Sequence, residues 1–219
     1  MPSFAEIKND SAIKAYITAA DSSLAALGYT EHSFAHVTKV AESAADILSA
    51  LGYDDHTVEL ARIAGYLHDI GNLVNRNEHS QSGAVMAFRI LDRLGFEPED
   101  IATIVTAIGN HDEGTGVAVN AVAAALIVAD KTDVRRTRVR NRDFSTFDIH
   151  DRVNYSVFDT VLDIDTEAKE VRLSIKIDTD ISSIMDYFEI FLGRMIMCRK
   201  SAETLGLAFK LRINEQNFI

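Results

Sequence analysis

Cysteine occurs once in the chain, as Cys198, so no internal disulfide can form and the sequence suits a reducing compartment. No apolar run of signal-peptide or membrane length opens it: Phe4 to Ile13 is broken by Glu6, Lys8, Asn9 and Asp10. Bases are in deficit, with Lys plus Arg 22 against Asp plus Glu 33 and a formal charge of −11. That balance argues against a nucleic-acid footprint spread over the molecule. Repeats and low-complexity segments are missing as well. These absences lead us to expect a cytoplasmic protein without a membrane span and argue against a nucleic-acid partner.

What is present is the balance of a folded globular chain: 219 residues, 47% hydrophobic and 25% charged. The acidity is uneven. Residues 1–130 carry 18 acids and 7 bases, while 131–159 carry 5 acids and 7 bases, including the basic run Arg135 to Arg142.

Up to residue 130 the apolar spacing is helical. Ser11 to Leu27 stops at Gly28; Thr30 can cap a helix reaching Gly52; Asp54 or Asp55 opens Val58 to His68. Ser80 or Ser82 opens a fourth helix closed by Gly95, Pro98 starts Glu99 to Asn110, and Ala118 to Val134 reads as a buried sixth. Past residue 155 the pattern changes. Val157 to Ile164 and Val171 to Ile177 are rich in β-branched residues and flank a polar turn, which is a hairpin. Asp180 or Ser182 then caps a helix from Ser183 to about Leu205, and Leu207 to Ile213 fits a third strand. The expected fold is mainly α, with a helical domain over 1–155 and a small ββαβ (α+β) unit over 156–219. The last helix is apolar on more than one face, so one side should meet the sheet and another the helical part or a second subunit, a homodimer being the expected assembly.

Four places set a histidine or an acid beside core-packing stretches: His36, the pair His68-Asp69, His111-Asp112, and Asp130 after Val122 to Ala129. One such histidine alone is ordinarily a satisfied core or surface residue, and an aspartate after an apolar run is an ordinary cap. Their co-occurrence is what points elsewhere, because buried imidazoles and carboxylates need a shared cation or several donors. A mixed nitrogen and oxygen set suits a borderline-to-hard divalent ion such as Mn, Fe, Ni, Co or Mg rather than a thiolate zinc site. Lys131 and Arg135, four apart just past or beside Asp130, could share a helical face and meet phosphate.

The order of these residues resembles the HD-domain superfamily of metal-dependent phosphohydrolases, whose signature is a His, a later His-Asp pair and a further Asp on separate helices. His36, His68-Asp69 and Asp130 match it. The binuclear branch adds two histidines, which correspond to His79, in His79-Ser80-Gln81-Ser82-Gly83-Ala84, and His111. The resemblance implies a helical HD bundle and two divalent ions, with Asp69 placed to give an oxygen to each. It also implies metal-assisted hydrolysis of a small phosphorylated molecule, with a nucleotide as the expected substrate and a phosphomonoester preferred over a diester. The flank of His79 is similar to the branches that cleave dinucleoside tetraphosphates and cyclic dinucleotides. Asn72, however, stands where the cyclic-dinucleotide enzymes carry Lys, and their Gly-Tyr-Pro motif is missing.

Overall fold

The computed structural model describes residues 2–219. Seven helices form the N-terminal part: α1 (Phe4–Asn9), α2 (Ser11–Ala26), α3 (Phe34–Ala50), α4 (Asp55–Leu67), α5 (His79–Arg93), α6 (Pro98–Gly109) and α7 (Ala121–Lys131). A short α8 (Ile149–Ser156) runs directly into β1 (Val157–Asp165), followed by β2 (Glu170–Ile177), α9 (Ile184–Thr204), β3 (Ala208–Ile213) and the two-residue β4 (Gln216–Asn217). The fold is mainly α with a C-terminal β unit, as the sequence leads one to expect. The expected division at 155/156 lies within the last turn of α8, one residue before β1 begins.

Helix α7 explains its own composition. It is buried on every side, from Val122 to Ala129, because α3, α4 and α6 cover part of it and α9 covers the rest. A helix enclosed this way has no use for a polar face. The four strands lie in the order β1-β2-β3-β4, antiparallel except for the parallel β2–β3 pair that α9 connects. Val171, Leu173, Ile175 and Ile177 of β2 and Phe209, Leu211 and Ile213 of β3 are buried with Tyr187, Phe191, Met195 and Cys198 of α9. These residues belong to the same continuous apolar core as the helical part.

Several boundaries differ from the sequence reading. Ser33, not Thr30, caps α3. Helix α5 begins at His79 itself, after Glu78 in a left-handed conformation, and Ser82 directs its hydroxyl back to carbonyls instead of capping. Ser183 caps α9 through a box with Asp186, where Asp180 or Ser182 was expected. The helix expected over 118–134 occupies only 121–131, because Thr132 returns its hydroxyl to the Val128 carbonyl and Asp133 turns inward to buried partners. One consequence is a correction: the chain is extended at Arg135, so Lys131 and Arg135 do not share a helical face.

Two glycines allow the close approaches that set the site. A Cβ on Gly65 of α4 would stand 2.7 Å from the Ala41 Cα of α3. A Cβ on Gly71, in the 3₁₀ turn at Ile70–Leu73, would stand within van der Waals overlap of the His79 carbonyl oxygen, the Gly83 nitrogen and the Ser82 hydroxyl.

Candidate metal centre

Five element ends converge. His36 lies in the first turn of α3, His68 and Asp69 follow the last residue of α4, and His79 opens α5. His111 stands two residues past α6, and Asp130 lies next to the end of α7. Each histidine is fully or nearly fully buried. Each also has its Nδ1 fixed from outside the cluster. His36 Nδ1 donates to Asp133 Oδ2 at 2.8 Å, His68 Nδ1 to the Gly65 carbonyl at 2.7 Å, His79 Nδ1 to the Arg76 carbonyl at 3.1 Å and His111 Nδ1 to the Ile108 carbonyl at 2.6 Å. With a proton held on Nδ1, every Nε2 is the nitrogen that faces the common centre, the position from which a neutral imidazole offers its lone pair to a metal.

The inner atoms form two overlapping groups. His36 Nε2 is 3.3 Å and His68 Nε2 3.6 Å from Asp130 Oδ1, and the same nitrogens are 3.5 and 3.3 Å from Asp69 Oδ2. The other oxygen, Asp69 Oδ1, lies 3.6 Å from His79 Nε2. His79 and His111 bring their Nε2 atoms to 3.1 Å of each other, a spacing at which two neutral imidazoles can bind one cation side by side. Ligand atoms of His36, His68 and Asp130, and separately those of His68, Asp69 and His111, lie within 4.8 Å of one another.

A divalent ion fits this chemistry. His36 Nε2, His68 Nε2 and Asp69 Oδ2 are buried without a hydrogen-bond partner, and all three face the same point. Leaving them so would cost several kcal/mol in total, at about 1–3 for each group. A hard or borderline cation satisfies all three at once.

The electrostatics around the cluster are arranged in opposed pairs. Burial disfavours the charge on Asp130, but Lys131 and the two histidines hold its carboxyl well below the usual range. Burial likewise opposes ionisation of Asp69, and His68 foremost outweighs it. Burial keeps His111 well below its ordinary value, with His68 and Lys131 adding to the effect.

Lys131 is buried with its ammonium 2.7 Å from Asp130 Oδ2 and 3.4 Å from Glu113 Oε1. Arg135 sits behind His36: its guanidinium donates to Asp133 Oδ1 at 2.9 Å and Thr137 Oγ1 at 2.8 Å, and lies 3.4 Å from Glu31 Oε2. Asn72 donates to Asp69 Oδ1 at 2.8 Å, orienting the carboxylate.

Three residues at the site were not singled out by the sequence reading. Arg76 places Nη1 3.4 Å from His79 Nε2 and 4.0 Å from Asp69 Oδ1. Glu113 links Lys131 to Arg194, whose Nε is 2.6 Å from its Oε1. Arg76 and Glu113 lie within three residues of His79 and His111, a hint in the sequence; Arg194 had none.

The HD-domain family model matches residues 33–153, more than half of the chain. The chain belongs to the HD-domain family. That family consists of metal-dependent phosphohydrolases, and the matched segment of this HD protein holds all six clustered residues. It is also similar to the uncharacterized protein MJ1020 of Methanocaldococcus jannaschii, 30% identical over 135 residues. That alignment covers 52% of this chain and 52% of the relative, so the chain spans about half the length of the curated protein it matches. Among the described residues no helix is long and apolar enough to cross a membrane.

Proposed function

We propose that this HD domain hydrolyses a phosphate ester of a small metabolite, a nucleotide being the preferred class, at a centre of two divalent ions. The observation that carries the reading is the convergence of His36 Nε2, His68 Nε2 and Asp69 Oδ2, buried and unpartnered, on one point. His36, His68, Asp69 and Asp130 would hold one ion, and His79 and His111, with the second oxygen of Asp69, the other. When bound, such ions activate water and stabilise charge on phosphoryl oxygens.

The chain's own residues supply the rest. Asp69 turns one oxygen to each half of the cluster, and Asn72 fixes that orientation. Lys131 balances Asp130 and Glu113 at the edge of the centre, from where its ammonium can meet a phosphoryl oxygen. Arg135 acts one step back, holding the Asp133 carboxylate that orients His36. A homodimer would use the exposed Met185, Leu192 and Ile196 of α9. A cytoplasmic setting, argued from the single cysteine, belongs to the same proposal.

The test is phosphate release by metal-stripped protein resupplied with Mn²⁺, Co²⁺, Ni²⁺ or Mg²⁺. The panel holds nucleoside mono-, di- and triphosphates, cyclic nucleotides and a dinucleoside tetraphosphate, with Asp69→Ala as control. Metal-dependent release from monoesters, lost in the variant, is the expected result. Cleavage of only the cyclic or dinucleoside substrates would make the protein a phosphodiesterase. A folded, metal-loaded chain inert across the panel would instead support a binding or regulatory role.

A further inference from the structure

A cavity of about 350 Å³ opens beside the metal centre, between the α2–α3 loop and the C-terminal elements. Its wall shares side chains with the site. His32 lines it and packs its ring 5.4 Å from that of His36. Arg76 lines it and reaches His79 and Asp69. From the far side Phe191 and Arg194 of α9 close it, and Arg194 is tied through Glu113 to Lys131. The metal centre lies just behind this wall, joined to the cavity through His32 and Arg76, and the last helix of the C-terminal unit forms another part of the lining.

The lining chemistry is specific. Two guanidiniums stack on aromatic rings: Arg76 lies 5.7 Å from the Tyr29 ring centroid and Arg194 4.5 Å from that of Phe191. Such stacks leave planar cationic surfaces whose edges still donate to phosphate oxygens. Tyr29 is 44% exposed although it lies at a cavity wall, which leaves ring surface for another planar group. Asp148 and Asp151, at the start of α8, add carboxylate acceptors suited to amino or hydroxyl groups. The volume lies near the lower end of the range of about 300–1,000 Å³ for small-ligand pockets. It matches one nucleoside with its phosphate better than a dinucleotide.

We infer that this cavity binds the non-reacting body of the substrate, and that the body is a single nucleoside. Arg76 and Arg194 direct the phosphate toward the ligand cluster, and Tyr29 packs on the base. The C-terminal unit, through α9, is then part of the specificity site and not an appendage. This inference rests on the hydrolase reading for its reacting phosphate, but the binding it describes can be measured without turnover.

The experiment is titration calorimetry on the manganese-loaded full chain. The probes are non-hydrolysable phosphonate analogues of adenosine and cytidine monophosphates, with inorganic phosphate as reference and phosphate release from p-nitrophenyl phosphate measured in parallel. At least one analogue is expected to bind tenfold or more tightly than inorganic phosphate. Tyr29→Ala, at an exposed position, should remove most of that preference over inorganic phosphate. Arg194→Gln should weaken the analogue fivefold or more. Analogue binding no tighter than inorganic phosphate, or unchanged in Tyr29→Ala and Arg194→Gln together, overturns the inference even if p-nitrophenyl phosphate is cleaved. Tyr29-dependent analogue binding without phosphate release from any ester upholds the cavity and ends the hydrolase reading.

Discussion

Asp133 accepts the Nδ1 proton of His36 at 2.8 Å from a position where its own side chain is fully buried. Its other oxygen takes Lys39 Nζ at 3.0 Å and Arg135 Nε at 2.9 Å. Burial works against the Asp133 charge, but His36, Arg138 and Lys39 keep the carboxyl far below its ordinary range. A permanent anion behind His36 fixes the ring and raises the basicity of the inward Nε2. Asp133→Asn should therefore weaken divalent-ion binding about 10–100-fold, the usual cost of losing such a partner. Competition against a chelating dye would measure it. Unchanged affinity in a folded variant would show that Asp133 serves packing alone.

The division of Asp69 between two groups leads to an expectation about stoichiometry. His79→Ala or His111→Ala should remove one of two bound ions per chain, while His36→Ala should disturb the ion on the other side. Elemental analysis of dialysed protein reads the count directly. A wild-type chain holding a single ion would reduce the site to the first group and leave His79 and His111 as proton donors or phosphate contacts.

The ligand cluster was legible because buried acids and imidazoles beside core stretches have few inexpensive explanations, and because their order resembles a known family. Helix ends at glycine were legible for the same local reason, backbone freedom at the terminator. The Ser3–Glu6 capping box that starts α1 was present in the sequence and went unread. The start of α5 was hidden, since no propensity rule places a left-handed Glu78 before a histidine that must turn inward. Helix α7 ran too far in the reading because the pattern could not show that Asp133 turns back to His36, 97 positions away. Arg194 at the cavity wall was illegible for a similar reason. Only tertiary packing of α9 on α7 brings it to Glu113.

Gly71 at a close approach and Gly193 on the exposed side of α9 separate packing from propensity. Gly71→Ala places a methyl group on the His79 backbone, which a rigid core cannot yield to. It should lower stability by about 1–3 kcal/mol or more and loosen His79 from the centre. Gly193→Ala, on the exposed side of α9 with nothing near its added Cβ, should stabilise by up to about 1 kcal/mol through helix propensity. Denaturant melts of both variants decide it. A Gly71→Ala protein as stable as wild type would mean the 3₁₀ turn can move away from α5.

The pH dependence of stability should differ between metal-free and metal-supplied protein. Burial alone would push the His68 imidazole down, but Asp69 and Asp130 outweigh it and raise it to about 10 in the metal-free fold, from an ordinary 6.5. The folded state then holds a proton that the unfolded chain releases. That stability is fully present below about 6.5 and is lost as the pH rises toward 10. Glu113 has the opposite sign: burial opposes its charge, yet Lys131 and Arg194 bring it down to about 2 from 4.5, so its contribution fades as the pH falls through that interval. A metal ion needs the neutral His68 and must expel its proton, so apparent affinity should climb with pH across the same window. Metal-stripped protein should lose thermal stability between pH 6.5 and 10, whereas protein held at a fixed, subsaturating ion concentration should lose less or gain. Parallel melting curves for the two forms would show instead that the proton and the ion do not compete for His68, and that its Nε2 is not a ligand.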